Sequence, residues 1–173
     1  MSAKLLVSAP SLTDPFFEES VVLLLHHDEN GATGIIINKS IPSDVGKVAP
    51  PLKQRHVDNL LFGGPMDHDT GTILTSEPLS TPAGFRIGEG LFLSRAMSTL
   101  RNIIERDGQF WLALGSAGWG PDQLDKEIAQ GDWVTAPLDI ELILSMPLTE
   151  RYPTALAMVG LTEKSVLFPA IWV

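Results

Sequence analysis

The 173 residues include no cysteine. That absence removes disulfides, thiolate nucleophiles, cysteine-ligated zinc and iron–sulfur clusters together, and leaves stability to packing. Long apolar runs are missing too. Stretches such as Val21-Val22-Leu23-Leu24-Leu25 fall far short of the ~20 residues that cross a bilayer. Positive charge is scarce: 12 Lys and Arg stand against 21 Asp and Glu, for a net charge of -9. The cations Lys4, Lys39, Lys47, Arg86 and Arg95 are scattered singly, whereas residues 121–150 hold seven acids against one base. Nucleic-acid binders draw most of their non-specific affinity from clustered cations, so direct nucleic-acid binding is disfavoured.

What is present is a globular composition, 44% hydrophobic with 19% charged residues. A chain of this length buries roughly 70% of the surface its unfolded form exposes, enough for one substantial core. No repeat and no linker-like stretch divides it, so residues 1–173 are expected to form a single domain. After Lys4, Leu5-Leu6-Val7 is too short for the apolar region of a secretory signal, and a cytoplasmic address is the expectation.

The first half reads mainly as strand and loop. Residues 20–38 suggest a hairpin of two core strands around the turn chemistry of Asp28-Glu29-Asn30-Gly31. Further strands are expected at 59–63, 71–76, 85–93 and 109–116, punctuated by Gly63-Gly64-Pro65, Pro78 and Gly84. The second half is more helical. Ser94 is placed to cap a helix with Met97, Leu100, Ile103 and Ile104 on one face, ending at Gly108. Pro121, Leu124, Ile128 and Gly131 outline a second helix, acidic on its outer face. Thr135-Ala136-Pro137 is expected to open a third through Leu138, Leu142 and Ile143, and a fourth covers 149–159. Strands early and helices late predict an α+β fold: a mixed, mainly antiparallel sheet with a small barrel-like core flanked by helices.

No stretch completes a catalytic motif. Leu114-Gly115-Ser116-Ala117-Gly118 has a leucine where a nucleophile elbow needs its first glycine, so Ser116 is read as a small turn residue. His26 and His27 point to opposite faces of one strand and cannot chelate together. Asp67-His68-Asp69 reads as a solvated loop, and no catalytic residue, metal site or cofactor is expected. The most suggestive stretch runs from Leu112 to Gln123, where a strand meets glycines before a helix, as at phosphate sites. Against that chemistry, Pro121 removes a donor and Asp122 places a carboxylate on the helix dipole. Gly115, Gly118 and Gly120 are read first as turn formers and Trp119 as an anchor; Trp111, Trp133 and Trp172 are read as core or interface anchors. The tail residues Leu167, Phe168, Ile171 and Trp172 add apolar surface that must dock or meet a partner. A ligand cleft would draw on Asn38, Gly63, Gly64, Gly118, Trp119 and Gly120, provided these loops meet.

These stretches together resemble the YqgE/AlgH family, also called the UPF0301 or DUF179 group, bacterial proteins of unestablished function. The resemblance rests on Pro10-Ser11-Leu12-Thr13-Asp14-Pro15 with Phe17, Ser20-Val21-Val22-Leu23, and His27-Asp28-Glu29-Asn30-Gly31-Ala32 followed by Gly34 and Ile36-Ile37-Asn38. Gly63-Gly64-Pro65, Ala117-Gly118-Trp119-Gly120-Pro121, Gln123-Leu124, Glu127-Ile128 and Trp133 complete it. It implies a small closed barrel-like sheet surrounded by helices, and a regulator's name without a DNA-binding motif. The sequence departs from the family pattern at Phe16 for asparagine, Glu19 for arginine, Lys39-Ser40 for Arg-Pro and Asp122 for glycine. Two of these departures remove guanidinium geometry. The leading expectation is an interaction or regulatory domain whose partner is a protein or small molecule, with a homo-oligomer left open. The alternatives are a ligand-binding protein or enzyme using the glycine-loop cleft, and a transcriptional regulator.

Overall fold

Leu5, Leu6, Val7, Val21, Val22, Leu23 and Leu24 are all fully buried. Consecutive residues of a strand point to opposite faces, so such runs require a sheet covered on both sides. The computed structural model, which describes residues 3–41, 44–79 and 84–165, shows that sheet. Its strands are β1 (Lys4–Ser8), β2 (Val21–Asp28), β3 (Gly31–Ile36), β4 (Leu60–Phe62), β5 (Met66–Thr75), β6 (Phe85–Gly88), β7 (Leu91–Ser94), β8 (Trp111–Trp119) and β9 (Trp133–Ala136). They run in the order β6-β7-β5-β8-β3-β2-β1-β9, and β4 joins β8 as the one parallel pair among them. The helices are α1 (Val45–Val48), α2 (Met97–Glu105), α3 (Gln123–Ala129), α4 (Ile140–Leu144) and α5 (Leu148–Met158), with a 3-10 segment at Gln54–Asn59.

Leu91 and Leu93 of β7 share a cluster with Ala136 of β9, although these strands lie near opposite ends of the sheet. Only curling brings them together. The sheet is a half-barrel wrapped around α4 and α5, whose Leu142, Ile143, Tyr152, Ala155 and Leu156 fill its inside. Among the described residues the strand path stays open between β6 and β9, where the family resemblance implied closure. Outside, α3 lays Leu124 and Ile128 over β1, β2, β3 and β9. The remaining outer face, on β4, β5 and β8, is covered by α1, the 3-10 segment and α2.

The mixed, mainly antiparallel α+β architecture and the hairpin at 20–38 match the sequence reading. Several boundaries differ for identifiable reasons. β8 continues through Gly115 and Gly118 to Trp119, so those glycines lie inside a strand. Gly115 takes a left-handed φ of 81° where the strand changes partners from β4 to β3. Residues 85–93 are two strands reversing at Gly90, φ 78°. Thr135 and Ala136 end β9 rather than opening a helix; Asp139 caps α4 instead, its Oδ1 accepting from Leu142 N at 3.0 Å. Ser94 sits two residues before the N-cap Ala96 and accepts from its N–H at 3.1 Å. Asp67-His68-Asp69 forms an exposed strand segment, not a loop. β1 has no counterpart in the sequence reading, and the tail residues Leu167, Phe168, Ile171 and Trp172 lie outside the described residues.

Candidate functional site

Gly63 and Gly64 follow β4 at the place where the chain crosses β8. A Cβ on Gly63 would collide with the Gly115 carbonyl, and one on Gly64 with the Ser116 carbonyl. Glycine is required there because two backbones touch, and Gly64 additionally has φ 148°. The crossing is fastened by Gly63 N donating to Leu114 O and Ile36 N donating to Gly63 O, both at 2.8 Å.

Asn38, just past β3, joins this crossing through its neighbour: Phe62 N donates to Lys39 O at 2.8 Å. The Asn38 amide is occupied at both ends. Its Oδ1 accepts from Val21 N at 2.9 Å and its Nδ2 donates to Glu19 O at 2.8 Å. Those bonds hold Glu19 in the left-handed region, φ 48°, where the loop turns into β2. Lys39 Nζ donates to Phe16 O at 2.8 Å, and burial draws the Lys39 ammonium below its ordinary pKa against the opposing pull of Glu18, Glu19 and Asp14.

Trp119 and Gly120 stand elsewhere. Trp119 pairs with Ala32 at the start of β3, whereas Asn38 and Gly63 meet its far end. Six residues of strand span about 20 Å. Asn38 and the Gly63-Gly64 loop therefore come together, Gly118 follows the Ala117 that a Cβ on Gly64 would approach to 2.6 Å, and Trp119 and Gly120 lie beyond, away from Asn38. At the distant end Trp119 is buried, and its ring packs 5.9 Å from that of Trp133. Both indole N–H groups donate to Glu127 Oε1, at 3.3 and 3.2 Å. Gly120 N donates to Gln123 Oε1, closing the entry to α3.

One segment links the two ends, and the sequence reading missed it. Phe17 points inward, stacking on Trp119 at 5.9 Å and meeting Trp133 edge-on at 5.8 Å. Its neighbour Phe16 points outward, 47% exposed, with its ring stacked 6.2 Å from Phe62 beside the glycine crossing. Asp14 Oδ1 accepts from the N–H of Phe16 at 2.8 Å and of Phe17 at 3.1 Å, so the turn is capped from within. The signal available in the sequence was the Phe16-Phe17 doublet after Asp14-Pro15, adjacent aromatics that a turn sends in opposite directions. Beside this loop lies a polar cleft of about 430 Å³ that includes Glu18, Glu19, Asn38, Lys39, Thr149 and Glu163.

The chemistry of the remaining candidates is soon described. Ser116 packs in the glycine crossing, and the histidines are engaged elsewhere: His26 with Asp28 at 2.8 Å, His27 with Asp125 at 3.1 Å. His56 Nδ1 accepts from Lys53 N at 2.8 Å, and burial lowers its pKa. Among the described residues no three His, Asp or Glu side chains gather as metal ligands, and no helix is long and apolar enough to cross a membrane.

A sequence profile described as AlgH-like matches residues 5–164. The chain belongs to the AlgH-like family. A UPF0301 protein of Xanthomonas campestris is 32% identical over 171 residues, covering 92% of this chain and 89% of its own. A second, from Xanthomonas oryzae, gives the same figures. The solution structure of AlgH from Pseudomonas aeruginosa superposes with a TM-score of 0.77 at 30% identity, over 92% of this chain and 89% of that one. A crystal structure from Corynebacterium diphtheriae, at 24% identity, a TM-score of 0.72 and coverage of 90% and 85%, shares the fold. Of the residues on which the AlgH-like resemblance rests, Asp14 and Phe17 lie in the Asp14–Ser20 loop, Asn38, Trp119 and Trp133 contact it, and Gly63 and Gly64 form the backbone crossing that follows Phe62.

Proposed function

We propose that this AlgH-like protein is a cytoplasmic, non-enzymatic regulatory module that binds a protein partner through Phe16. The observation that carries this reading is an exposed aromatic ring held in one place. Phe16 rests on Phe62, its N–H is fixed by Asp14 and its carbonyl by Lys39, while Asn38 fixes Glu19 three residues on. A ring ordered in advance loses little conformational freedom on binding, and such aromatics dominate interface energetics. Asp14, Glu18 and Glu19 are exposed around it, so the complementary surface is an apolar pocket with a basic rim.

The test is quantitative co-purification with wild-type protein, Phe16→Ala and Phe85→Ala, the last a 61% exposed aromatic on β6. A partner is expected with wild type and Phe85→Ala but depleted with Phe16→Ala; with that partner purified, Phe16→Ala weakens binding by roughly thirtyfold, about 2 kcal/mol. Equal recovery by all three proteins refutes the assignment. Short duplex DNA in the same binding assay is expected to give no complex, given the net charge of -9.

A further inference from the structure

On the outer side of β5 and β8, far along the chain from Phe16, α1 and α2 leave a cavity of about 190 Å³. Its walls are apolar, with Val48, Ile73, Leu100, Leu112 and Leu114 among them. Gly71 keeps one side open: a Cβ there would stand 3.0 Å from Leu112 Cδ1. Two charges of opposite sign, Asp69 and Arg95, also line it. They do not neutralise each other. The ion pairs among the described residues are His26–Asp28, His27–Asp125, Arg55–Asp107 and Arg106–Glu77. Arg95 makes one described hydrogen bond, from Nε to Thr72 Oγ1 at a long 3.3 Å, which leaves the outer nitrogens of its fork available.

We infer that this cavity binds a free α-amino acid with a hydrophobic side chain. The apolar volume sets the side chain: a cavity of about 150 Å³ lined by similar residues accommodates benzene, so this one suits a branched aliphatic or phenyl group. The two charges set the backbone end. Arg95 presents the planar donor fork that matches a carboxylate, and Asp69 accepts from an ammonium. An apolar carboxylic acid would leave Asp69 repelling it, and an apolar amine would leave Arg95 doing so; a zwitterion satisfies both. Ala96, the N-cap of α2, and Met97, its first residue, also line the cavity, so the positive end of the helix dipole adds a favourable field for the carboxylate. This assignment does not rest on the Phe16 surface.

Isothermal titration of the purified full chain with leucine and phenylalanine tests it, with glycine, 4-methylpentanoate and leucinamide as probes lacking the side chain, the amine and the carboxylate. The expected result is saturable binding of leucine or phenylalanine, at least roughly tenfold tighter than any of the three probes. Arg95→Met and Asp69→Asn alter exposed side chains and are expected to leave the melting temperature unchanged while each weakens leucine at least roughly tenfold. Asp69→Asn should also bind 4-methylpentanoate more tightly than wild type does, a gain that damage to the fold cannot produce. No heat with either amino acid at millimolar concentration overturns the inference. Binding that ignores both substitutions, or glycine binding as tightly as leucine, overturns it equally.

Discussion

Two aromatic assemblies lie on opposite faces of the sheet, and each settles a charge differently. Outside, Glu127 receives both indole N–H groups of Trp119 and Trp133 on one carboxylate oxygen, at the half-buried edge of α3. Inside, Arg151 of α5 is wholly buried with no acidic partner among the described residues. Its Nη1 donates to Ile37 O at 2.7 Å, its Nε to Met146 O at 2.9 Å, and its guanidinium lies 4.5 Å from the Trp111 ring centre. Nη2 has no partner among the described residues. Desolvation draws the pKa down to about 10, which still leaves the group cationic at neutral pH. A carboxylate near the surface retains water on its open side, whereas a buried guanidinium depends on carbonyls and a π-face for everything it lost. The inner charge is thus a costly clamp between β3 and the α4–α5 connection, and the outer one a hinge pin for three aromatic rings.

The comparison is broken most severely by Trp133→Ala, which empties the outer assembly and is expected to cost ~3–5 kcal/mol in urea unfolding. Arg151→Ala is expected to cost ~3 kcal/mol, since one buried and one half-buried carbonyl lose their donors and a void opens under Trp111. Arg151→Met should cost less than half as much, because it fills the volume and removes the desolvated charge along with the donors. If methionine and alanine prove equally damaging, the hydrogen bonds rather than volume and charge control the site. Tyr152→Phe removes the bond from its hydroxyl to Ser8 O, 2.8 Å, and Glu127→Gln replaces a charged acceptor with a neutral one; each is expected to cost ~1 kcal/mol.

The smallest effect lies in neither assembly. His56 packs beside Phe110 with ring centres 5.5 Å apart, and its pKa is lowered first by burial and then by Arg55 and Lys53. The neutral ring is favoured in the folded state, so the unfolded chain binds more protons as the pH falls below about 6.5. Stability present above that value is lost as the pH drops towards the lowered folded pKa. His56→Gln should flatten the stability slope between pH 7 and 5, and an unchanged slope would place its origin elsewhere.

Much of the architecture was legible because its signals are local. The β2–β3 hairpin follows from runs of Val, Leu and Ile around Asp28-Glu29-Asn30-Gly31, and α3 from Pro121, the Leu124–Ile128 spacing and Gly131. β9 was obscured because Pro137 looks like a helix start, although the chain needs two more residues to reach the Asp139 cap. Of the predicted site, Asn38, Gly63 and Gly64 share the far end of β3 with Gly118 within reach of Gly64, while Trp119 lies about 20 Å from Asn38 along it. That separation is fixed by which end of β8 pairs with β3, a matter of register that no local pattern encodes.

The sequence by itself determined what is short-range or additive: an acidic chain without cysteine chemistry, strands early and helices late, and glycines where backbones must approach. Only the tertiary structure decided that Phe16 turns outward while Phe17 turns inward, and that Arg151 meets no counter-ion among the described residues. It also decided that Asp69 and Arg95 share an apolar cavity. The physical reason is the same in each case. These outcomes depend on strand order and helix placement, which arise from burying the whole apolar surface at once, and residues 26 positions apart can reveal that they are neighbours only after the chain has closed around them.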